Sequence, residues 1–272
     1  MNRFFYLYSN LIMKLIDTHA HLYAEEFNED LDVVIERSIQ NHLSHVLLPN
    51  IDVDSIMPLK QIVALSNEKI QFLPMMGLHP CYVKEDWQVQ LAAIKLALDD
   101  KELNCIAVGE IGLDYYWDLT FKEQQQQAFR QQIDWAIEKK LPIAIHCRNA
   151  YEDVIKILQE KKHENLKGVL HCFGGSIQEA QDLIDLGFYL GIGGVLTYKN
   201  AGLAEVIAQI DAKHLVLETD APYLAPVPYR GKRNESSFLL EIAKKLAEIK
   251  ECSMEEVARI TTKNAADLFQ IV

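Results

Sequence analysis

The chain alternates between short apolar segments and longer segments of helical periodicity over almost its whole length. This alternation is typical of parallel strands joined by crossover helices, which bury each strand on both faces. Eight such units within 272 residues predict an α/β fold, a single (β/α)8 TIM barrel. An open doubly wound sheet is the alternative, but no Gly-x-Gly-x-x-Gly motif follows the first strand. The predicted strands span residues 15–16, 45–49, 71–76, 105–108, 142–145, 168–170, 188–192 and 214–217.

Helical periodicity fills the segments between these strands. A last helix is predicted over 253–269, opened by a capping box of Ser253 and Glu256. No linker or low-complexity segment interrupts the pattern, so residues 13–272 are predicted to form one domain, with residues 1–12 as an N-terminal extension and Met13 as a plausible start. The other predicted helices span residues 29–41, 55–67, 88–99, 121–139, 151–162, 178–186, 202–210 and 236–249.

Ligand-type side chains follow five of the predicted strands. In a barrel, the carboxyl ends of the strands meet at one mouth, where active sites lie. Any one of these residues alone is more often a core or surface residue than a ligand, but their shared position predicts a metal site at the C-terminal mouth. The candidate ligands are His19, His21, Glu110, His146, His171 and Asp220.

The types of these ligands predict two divalent ions and a hydrolytic reaction. Glu110 is the natural shared ligand, because a carboxylate can bridge two ions and an imidazole cannot. Zinc, manganese, magnesium or a similar metal is expected, and the imidazoles favour zinc, manganese, iron or cobalt over magnesium. Asp220 is also expected to orient or deprotonate the attacking water, while Asp17 and Glu218 are expected to hold ligand side chains in place.

Polar residues near the predicted ligands are candidates for contact with substrate. His79 follows the third strand and is expected to contact a phosphate or protonate a leaving oxygen; the alternative is an ordinary loop histidine before Pro80. Arg148 shares the facing of His146, and its guanidinium suits a phosphate group; a surface ion pair is the alternative. A basic cluster in the loop after the eighth strand is predicted to bind a nucleic-acid backbone, with a solvated loop as the alternative: Arg230, Lys232 and Arg233.

Aromatic residues in the same loops are candidates for stacking on bases, although core or loop packing is the more frequent role of any one of them. Cys147 and Cys172 each follow a ligand histidine, so strand alternation predicts buried thiols that point away from the ions. The aromatic candidates are Tyr115, Tyr116, Phe173, Tyr198 and Tyr223.

Composition restricts the class of partner and the compartment. A net charge of −12 excludes a non-specific nucleic-acid coat, so any polyanion must be held locally. Five cysteines without a Cys-x-x-Cys pair favour the reducing cytoplasm over a disulfide framework. No apolar run approaches the roughly 20 residues of a spanning helix, so no membrane partner is expected.

Seven short motifs combine the residues above. In sequence order they are Asp17-Thr18-His19-Ala20-His21, Gly77-Leu78-His79-Pro80, Gly109-Glu110-Ile111-Gly112-Leu113-Asp114, His146-Cys147-Arg148, His171-Cys172-Phe173, Glu218-Thr219-Asp220-Ala221-Pro222 and Arg230-Gly231-Lys232-Arg233-Asn234-Glu235.

With these motifs, the chain resembles the TatD family of metal-dependent deoxyribonucleases, within the wider group of amidohydrolase-type barrels. The resemblance runs from about Met13 to the C-terminus and implies that the six candidate ligands bind metal. It also implies DNA hydrolysis, often exonucleolytic from the 3′ end, with single strands or DNA ends as the expected substrate. Ser236 departs from the family pattern, which commonly has Pro after Asn-Glu, in a loop before a helix.

The residues themselves predict a hydrolytic metal site, whereas DNA as the substrate depends mainly on the resemblance. A hydrolase of small-molecule amides, lactones or esters is the first alternative, because the same barrel mouth serves those reactions. Hydrolysis of an aminoacyl-tRNA ester lies between the two. A metal-containing scaffold without activity is the non-enzymatic alternative.

Overall fold

The computed structural model describes residues 14–271. The predicted extension over residues 1–12, and Met13 as a start, lie outside the described residues.

Eight parallel strands form a closed barrel, which confirms the predicted TIM barrel. The strands pair in chain order within two sheets, β1 to β3 and β4 to β8. Bridges from Met75 to Ala107 and from Ala20 to Ala221 join the two sheets and close the cylinder. The strands are β1 (Leu15–Asp17), β2 (Leu43–Pro49), β3 (Gln71–Met75), β4 (Val108–Asp114), β5 (Ile143–Arg148), β6 (Gly168–Leu170), β7 (Phe188–Ile192) and β8 (Leu215–Leu217).

Helices connect and surround the strands. They are α1 (Leu31–Gln40), α2 (Ile56–Val63), α3 (Trp87–Leu98), α4 (Lys122–Lys139), α5 (Tyr151–Glu160), α6 (Ile177–Asp185), α7 (Leu203–Ala208), α8 (Leu239–Lys250) and α9 (Met254–Phe269). Within residues 14–271, none of them combines the length and the apolar character that a bilayer crossing demands.

The predicted capping box at the start of α9 forms only in part. The Ser253 hydroxyl accepts from the backbone N–H of Glu256 at 3.2 Å, but the Glu256 carboxylate pairs with Arg259 at 2.7 Å instead of returning to Ser253. A complete capping box occurs at α6, between Ser176 and Glu179.

Two strands lie later in the sequence than predicted. The apolar runs over 105–108 and 142–145 suggested strands that end before the ligands, whereas β4 and β5 continue through Glu110 and His146. Polar side chains stop an apolar run in the sequence, but in this barrel they point into the interior. Gly112 in β4 has a φ of 143°, and a Cβ there would lie 2.0 Å from the carbonyl oxygen of His146, so only glycine permits this close pairing.

The N-terminal end of the barrel is apolar and covered by α9. Asn264 in this helix donates to the carbonyls of Ala212 and Leu215, at the start of β8. The interior cluster contains Ile16, Leu47, Met75, Ala107, Ala144, Val169 and Val216 from the barrel wall, and Ala265, Leu268 and Phe269 from α9. The polar ends of the strands therefore lie at the opposite mouth.

Candidate metal centre

Glu110 lies at the centre of the barrel mouth and is 2% exposed. Its two carboxylate oxygens face different histidines. Oε2 lies 3.2 Å from Nε2 of His19 and 3.6 Å from Nε2 of His21. Oε1 lies 2.8 Å from Nε2 of His171 and 3.0 Å from Nδ1 of His146. One carboxylate is therefore shared between two pairs of imidazoles.

Asp220 lies beside the first pair. It follows β8 with a φ of 58°, and its amide donates to the carbonyl of His19 at 2.8 Å. Oδ1 of Asp220 thereby lies 3.5 Å from Nε2 of His21 and 3.8 Å from Nε2 of His19. We call His19, His21, Asp220 and Oε2 of Glu110 the first ligand group, and His146, His171 and Oε1 of Glu110 the second ligand group.

The six predicted ligands thus converge in space, and their chemistry fits divalent metal. Burial alone would raise the pKa of Glu110, but His171, His79 and His19 outweigh it and hold that pKa well below its usual range. Among residues 14–271, no lysine or arginine pairs with Glu110 or Asp220. Imidazole nitrogens around carboxylates that no basic side chain neutralises suit zinc and related ions.

The potential ligand atoms overlap between sets. His19, His21 and Asp220 form one compact set, as His79, Glu110 and His146 form another. A third contains His19, His171 and Glu218, in which Nδ1 of His19 and Oε2 of Glu218 are buried without a hydrogen-bond partner in the described chain. Unpartnered buried polar atoms are costly, which again favours a bound cation at this mouth.

Hydrogen bonds behind the rings fix which nitrogen of two ligands faces the centre. The Tyr23 hydroxyl donates to the carbonyl of Pro49 at 2.6 Å, so its oxygen accepts the proton on Nδ1 of His21 at 2.9 Å and leaves Nε2 free. Asp114 accepts from Nε2 of His146 at 2.9 Å and leaves Nδ1 free. His21 and His146 therefore present opposite ring nitrogens to the centre, one ring held by a phenol and the other by a carboxylate.

The ring of His79 turns a protonated nitrogen toward the centre, whereas a metal ligand must present an unprotonated one. Its Nδ1 accepts from the backbone N–H of Cys81 at 3.1 Å, so the proton of the neutral ring lies on Nε2, which is 3.4 Å from Oε1 of Glu110. Burial lowers the pKa of His79, which favours this neutral form. We infer that His79 faces the centre as a hydrogen-bond donor, so the compact set that includes it is not three ligands.

The two predicted supporting carboxylates act differently. Glu218 lies 3.7 Å from Nδ1 of His171 and accepts from the backbone N–H of Cys172, which places it behind a ligand ring. Asp17 contacts no ligand ring: its oxygens accept from the backbone and hydroxyl of Thr219, at 2.9 and 2.6 Å, and from the backbone N–H of His19 at 3.3 Å. Burial raises the pKa of Asp17 to about 7. Asp17 therefore joins the end of β1 to the segment after β8.

Arg148 lies at the exposed end of β5. Its guanidinium carbon lies 3.8 Å from the ring centre of Tyr116 and 5.2 Å from that of Trp117. It forms no ion pair within residues 14–271, so the alternative of a surface ion pair is not observed. The guanidinium edge remains available to an anion.

Tyr115 is held by residues of α4 and α5. Its hydroxyl donates to Asp153 at 2.9 Å and accepts from Gln126 at 2.8 Å, while Lys122 covers its ring at 4.3 Å. These contacts tie the end of β4 to α4 and α5, and Lys122 covers one face of the ring. Its neighbours Tyr116 and Trp117 are instead 53% and 69% exposed.

The basic cluster after β8 divides in two. Arg233 forms a bidentate pair with Asp30 at 2.6 and 2.8 Å and lies over the ring of Phe27, so its guanidinium is already paired within the chain. Arg230 lies 4.4 Å from the ring centre of Tyr198. Arg230 and Lys232 are exposed and have no ion pair within the described chain.

The remaining aromatic and thiol predictions had mixed outcomes. Phe173 is buried in the core, whereas Tyr223 is 53% exposed near His21, with 6.1 Å between ring centres. Cys147 and Cys172 are partly buried, not fully buried. Cys172 has a φ of 48°, so strand alternation no longer applies, and Asp220, Glu218 and Glu110 add to burial in raising its pKa.

Tyr23, Asp114 and Trp117 are site residues that the sequence interpretation missed. Tyr23 has the parity of His19 and His21, and Asp114 has that of Glu110, so strand alternation was a signal that could have identified both. Trp117 lies in a loop, where periodicity gives no signal.

Comparisons with known proteins agree with this geometry. The family model described as TatD related DNase matches residues 16–270. The "uncharacterized metal-dependent hydrolase YabD" of Bacillus subtilis is 42% identical over 260 residues, covering 94% of this chain and 99% of that protein. A similarly named Buchnera aphidicola protein, BU355, is 40% identical and covers 95% of this chain and 100% of its own length.

A solved structure has the same architecture. The crystal structure of YjjV, a TatD homologue from Escherichia coli K12, superposes with a TM-score of 0.89 at 27% identity, covering 96% of this chain and 100% of that one. The barrel, the converged ligands and the family match lead to one conclusion: this chain belongs to the TatD family of metal-dependent hydrolases.

Proposed function

We propose that this hydrolase is a deoxyribonuclease that removes nucleotides from the 3′ end of single-stranded DNA, with one divalent ion in each ligand group. The observation that carries the proposal is the division of Glu110 between two histidine pairs, beside an arginine free of ion pairs. Divalent ions held by Glu110 and these histidines would suit the displacement of an oxygen from phosphorus. The description of the matching family model, TatD related DNase, supports DNA as the substrate.

The charge distribution also supports an anionic substrate. The chain carries a net charge of −12, yet Arg148, Arg230 and Lys232 are exposed at the mouth without acidic partners in the described chain. A neutral amide, lactone or ester does not require these cations, whereas a phosphodiester does.

The residues suggest how the reaction proceeds. Divalent ions held here would supply Lewis acidity and lower the pKa of the attacking water. Asp220, whose pKa is lowered by its imidazole neighbours against the effect of burial, is ionised at neutral pH and accepts a proton from that water. Water oxygen bonds to phosphorus, and the bond from phosphorus to the 3′ oxygen of the penultimate nucleotide breaks. Nε2–H of His79 donates a hydrogen bond to the leaving 3′ oxygen, which takes up its proton from solvent, and Arg148 holds a non-bridging oxygen.

The test is hydrolysis of end-labelled single-stranded DNA by the purified protein with manganese, magnesium or zinc, beside a panel of esters, lactones and an aminoacyl-tRNA. A 5′-labelled strand should shorten progressively, and a 3′-labelled strand should release labelled mononucleotide at once. Arg148→Lys keeps the charge but loses the bidentate geometry, so it should raise KM for DNA more than it lowers kcat. Turnover confined to the panel would refute the nuclease proposal.

A further inference from the structure

A cavity of about 180 Å³ opens beside the metal centre, between the start of α4 and the segment after β3. It shares one wall with the site, because Asp114 lines it and also holds His146, which is 3.0 Å from Glu110. One imidazole ring therefore separates the cavity from the shared carboxylate. The lining residues are Cys81, Val83, Lys84, Asp114, Trp117, Asp118, Phe121 and Gln125.

The walls suit a flat, aromatic ligand. Val83, Trp117 and Phe121 provide apolar surface. The indole of Trp117 is 69% exposed, and exposure of this apolar ring to water is unfavourable. Lys84 and Asp118, 3.9 Å apart, lie at the exposed entrance. A volume of about 180 Å³ is below the roughly 300 Å³ of sites for drug-sized ligands. It matches a single planar ring system and is too small for a base pair.

Gln125 supplies a polar group directed into this cavity. Its side chain is buried, at 4% exposed, and its Oε1 accepts from the backbone N–H of Asp114 at 3.0 Å. Because the oxygen is fixed there, the NH2 group must point the other way, and it has no hydrogen-bond partner within residues 14–271. An amide donor that lines the cavity without a partner in the described chain can donate to an acceptor on a ligand. Every nucleobase offers a carbonyl oxygen or a ring nitrogen as an acceptor.

We propose that this cavity binds the unpaired base of the nucleotide attached to the scissile phosphate, stacked on Trp117 and hydrogen-bonded to Gln125. The proposal rests on the nuclease function proposed above and specifies its substrate. The guanidinium carbon of Arg148 lies 5.2 Å from the ring centre of Trp117, and Arg148 follows His146 by two residues in β5, so it can hold the phosphate of the same nucleotide. Since a paired base does not fit, the cavity selects single strands, and since Gln125 needs only an acceptor, it accepts any base.

The test compares a normal 3′-terminal nucleotide with an abasic one on the same single strand. For the wild-type protein, loss of the base should raise KM roughly ten-fold, the usual effect of one lost stacking contact. Trp117→Ala should raise KM for the normal strand by a similar factor and abolish the difference between the two strands, whereas Trp117→Phe should retain it. Leu119→Ala, in the same loop and 59% exposed but outside the cavity, is the matched control.

Tryptophan fluorescence tests binding without turnover. Of the three tryptophans, Trp87 and Trp135 are each 8% exposed, so acrylamide quenching reports mainly on Trp117. Deoxyadenosine monophosphate should protect wild-type protein from quenching, and Gln125→Glu, which keeps the acceptor for Asp114 but removes the donor, should weaken that protection.

The outcomes separate the two proposals. Equal KM for normal and abasic strands, with DNA still hydrolysed, would overturn the cavity assignment and leave the nuclease intact. A complete lack of DNA hydrolysis would instead refute the nuclease, and absence of nucleotide protection in the same protein would refute the cavity as well.

Discussion

The two ends of the barrel interior differ sharply in chemistry although the same strands build both. At the N-terminal end the inward side chains are apolar and α9 covers them. Two residues further along the same face, the polarity changes to ionisable groups. Three pairs illustrate the change: Ala144 and His146, Val169 and His171, and Val216 and Glu218.

Within one barrel interior, the N-terminal end therefore contributes mainly to stability and the mouth mainly to chemistry. Apolar packing at the N-terminal end stabilises the cylinder, while the mouth holds buried imidazoles and carboxylates that stabilise the fold only when they are paired or bound to metal. Substitutions at the two ends should therefore affect different measurements.

The largest effect is expected at the mouth, from Glu110→Gln. The amide retains the shape but lacks the negative charge that the divalent ions proposed here would need in a ligand. Activity on DNA should fall by more than about 100-fold, beyond the roughly 10–100-fold expected for residues behind the ligands. Elemental analysis should show less bound metal, while circular dichroism stays close to wild type. Full activity with wild-type metal content would show that the mouth does not depend on this carboxylate.

The next effect is expected at the opposite end, from Leu268→Ala. Leu268 is 1% exposed in the cluster beneath the barrel. The cavity left by the substitution should lower the free energy of unfolding by about 2–5 kcal/mol, measured by urea denaturation, with kcat per folded molecule unchanged. Leu96→Ala, at a position 75% exposed on α3, is the matched control and should change stability by less than about 0.5 kcal/mol. A loss of kcat in folded Leu268→Ala protein would mean that the two ends are coupled.

A third prediction concerns the carboxylate behind His146. Oδ1 of Asp114 accepts from the backbone N–H of Tyr116 at 2.9 Å, so in Asp114→Asn the amide oxygen stays there and the NH2 group faces Nε2 of His146. The ring must then carry its proton on Nδ1, where a metal would bind. Calorimetric titration of metal-free protein should show one ion bound about 10–100-fold more weakly.

Tyr23→Phe is the matched variant for Asp114→Asn, because it removes the hydroxyl behind His21 in the first ligand group. It should weaken the other binding step. Equal weakening of both steps by either variant would contradict the division into two groups.

The smallest effect is expected from Arg230→Gln. Arg230 is exposed at the mouth and stacked on Tyr198, so its loss should raise KM for DNA a few-fold and reduce the slope of log KM against log salt by about one. Lys69→Gln makes the same charge change just before β3, at the other end of the barrel, and should leave both quantities unchanged. Equal effects of the two variants would point to net charge instead of a local contact.

Much of the fold could be predicted because its signals are local. Apolar runs and helical periodicity gave the order of the elements. Errors occurred in β4 and β5, where inward-facing Glu110 and His146 interrupt the apolar pattern of a strand. Polarity normally marks the end of a buried strand, but in a barrel mouth it marks the site.

The site was predictable in its residue types but not in its contacts. Tyr115 and Arg233 are residue types that often bind substrate. Each of them instead forms a hydrogen bond with a residue distant in sequence, Tyr115 with Asp153 and Arg233 with Asp30. Trp117 carried no signal at all, because its exposure depends on how the loop after β4 crosses the mouth.

The sequence by itself determined the alternation that builds the barrel, the inward parity of the ligands and the family to which the chain belongs. Only the tertiary structure decided that Glu110 turns one oxygen to each histidine pair, that Tyr23 and Asp114 free opposite ring nitrogens, and that His79 faces the centre as a donor. The physical reason is the distance along the sequence over which each feature is determined. Side-chain facing follows from backbone geometry over two residues, whereas hydrogen-bond partners are chosen when strands up to 202 residues apart close into one cylinder.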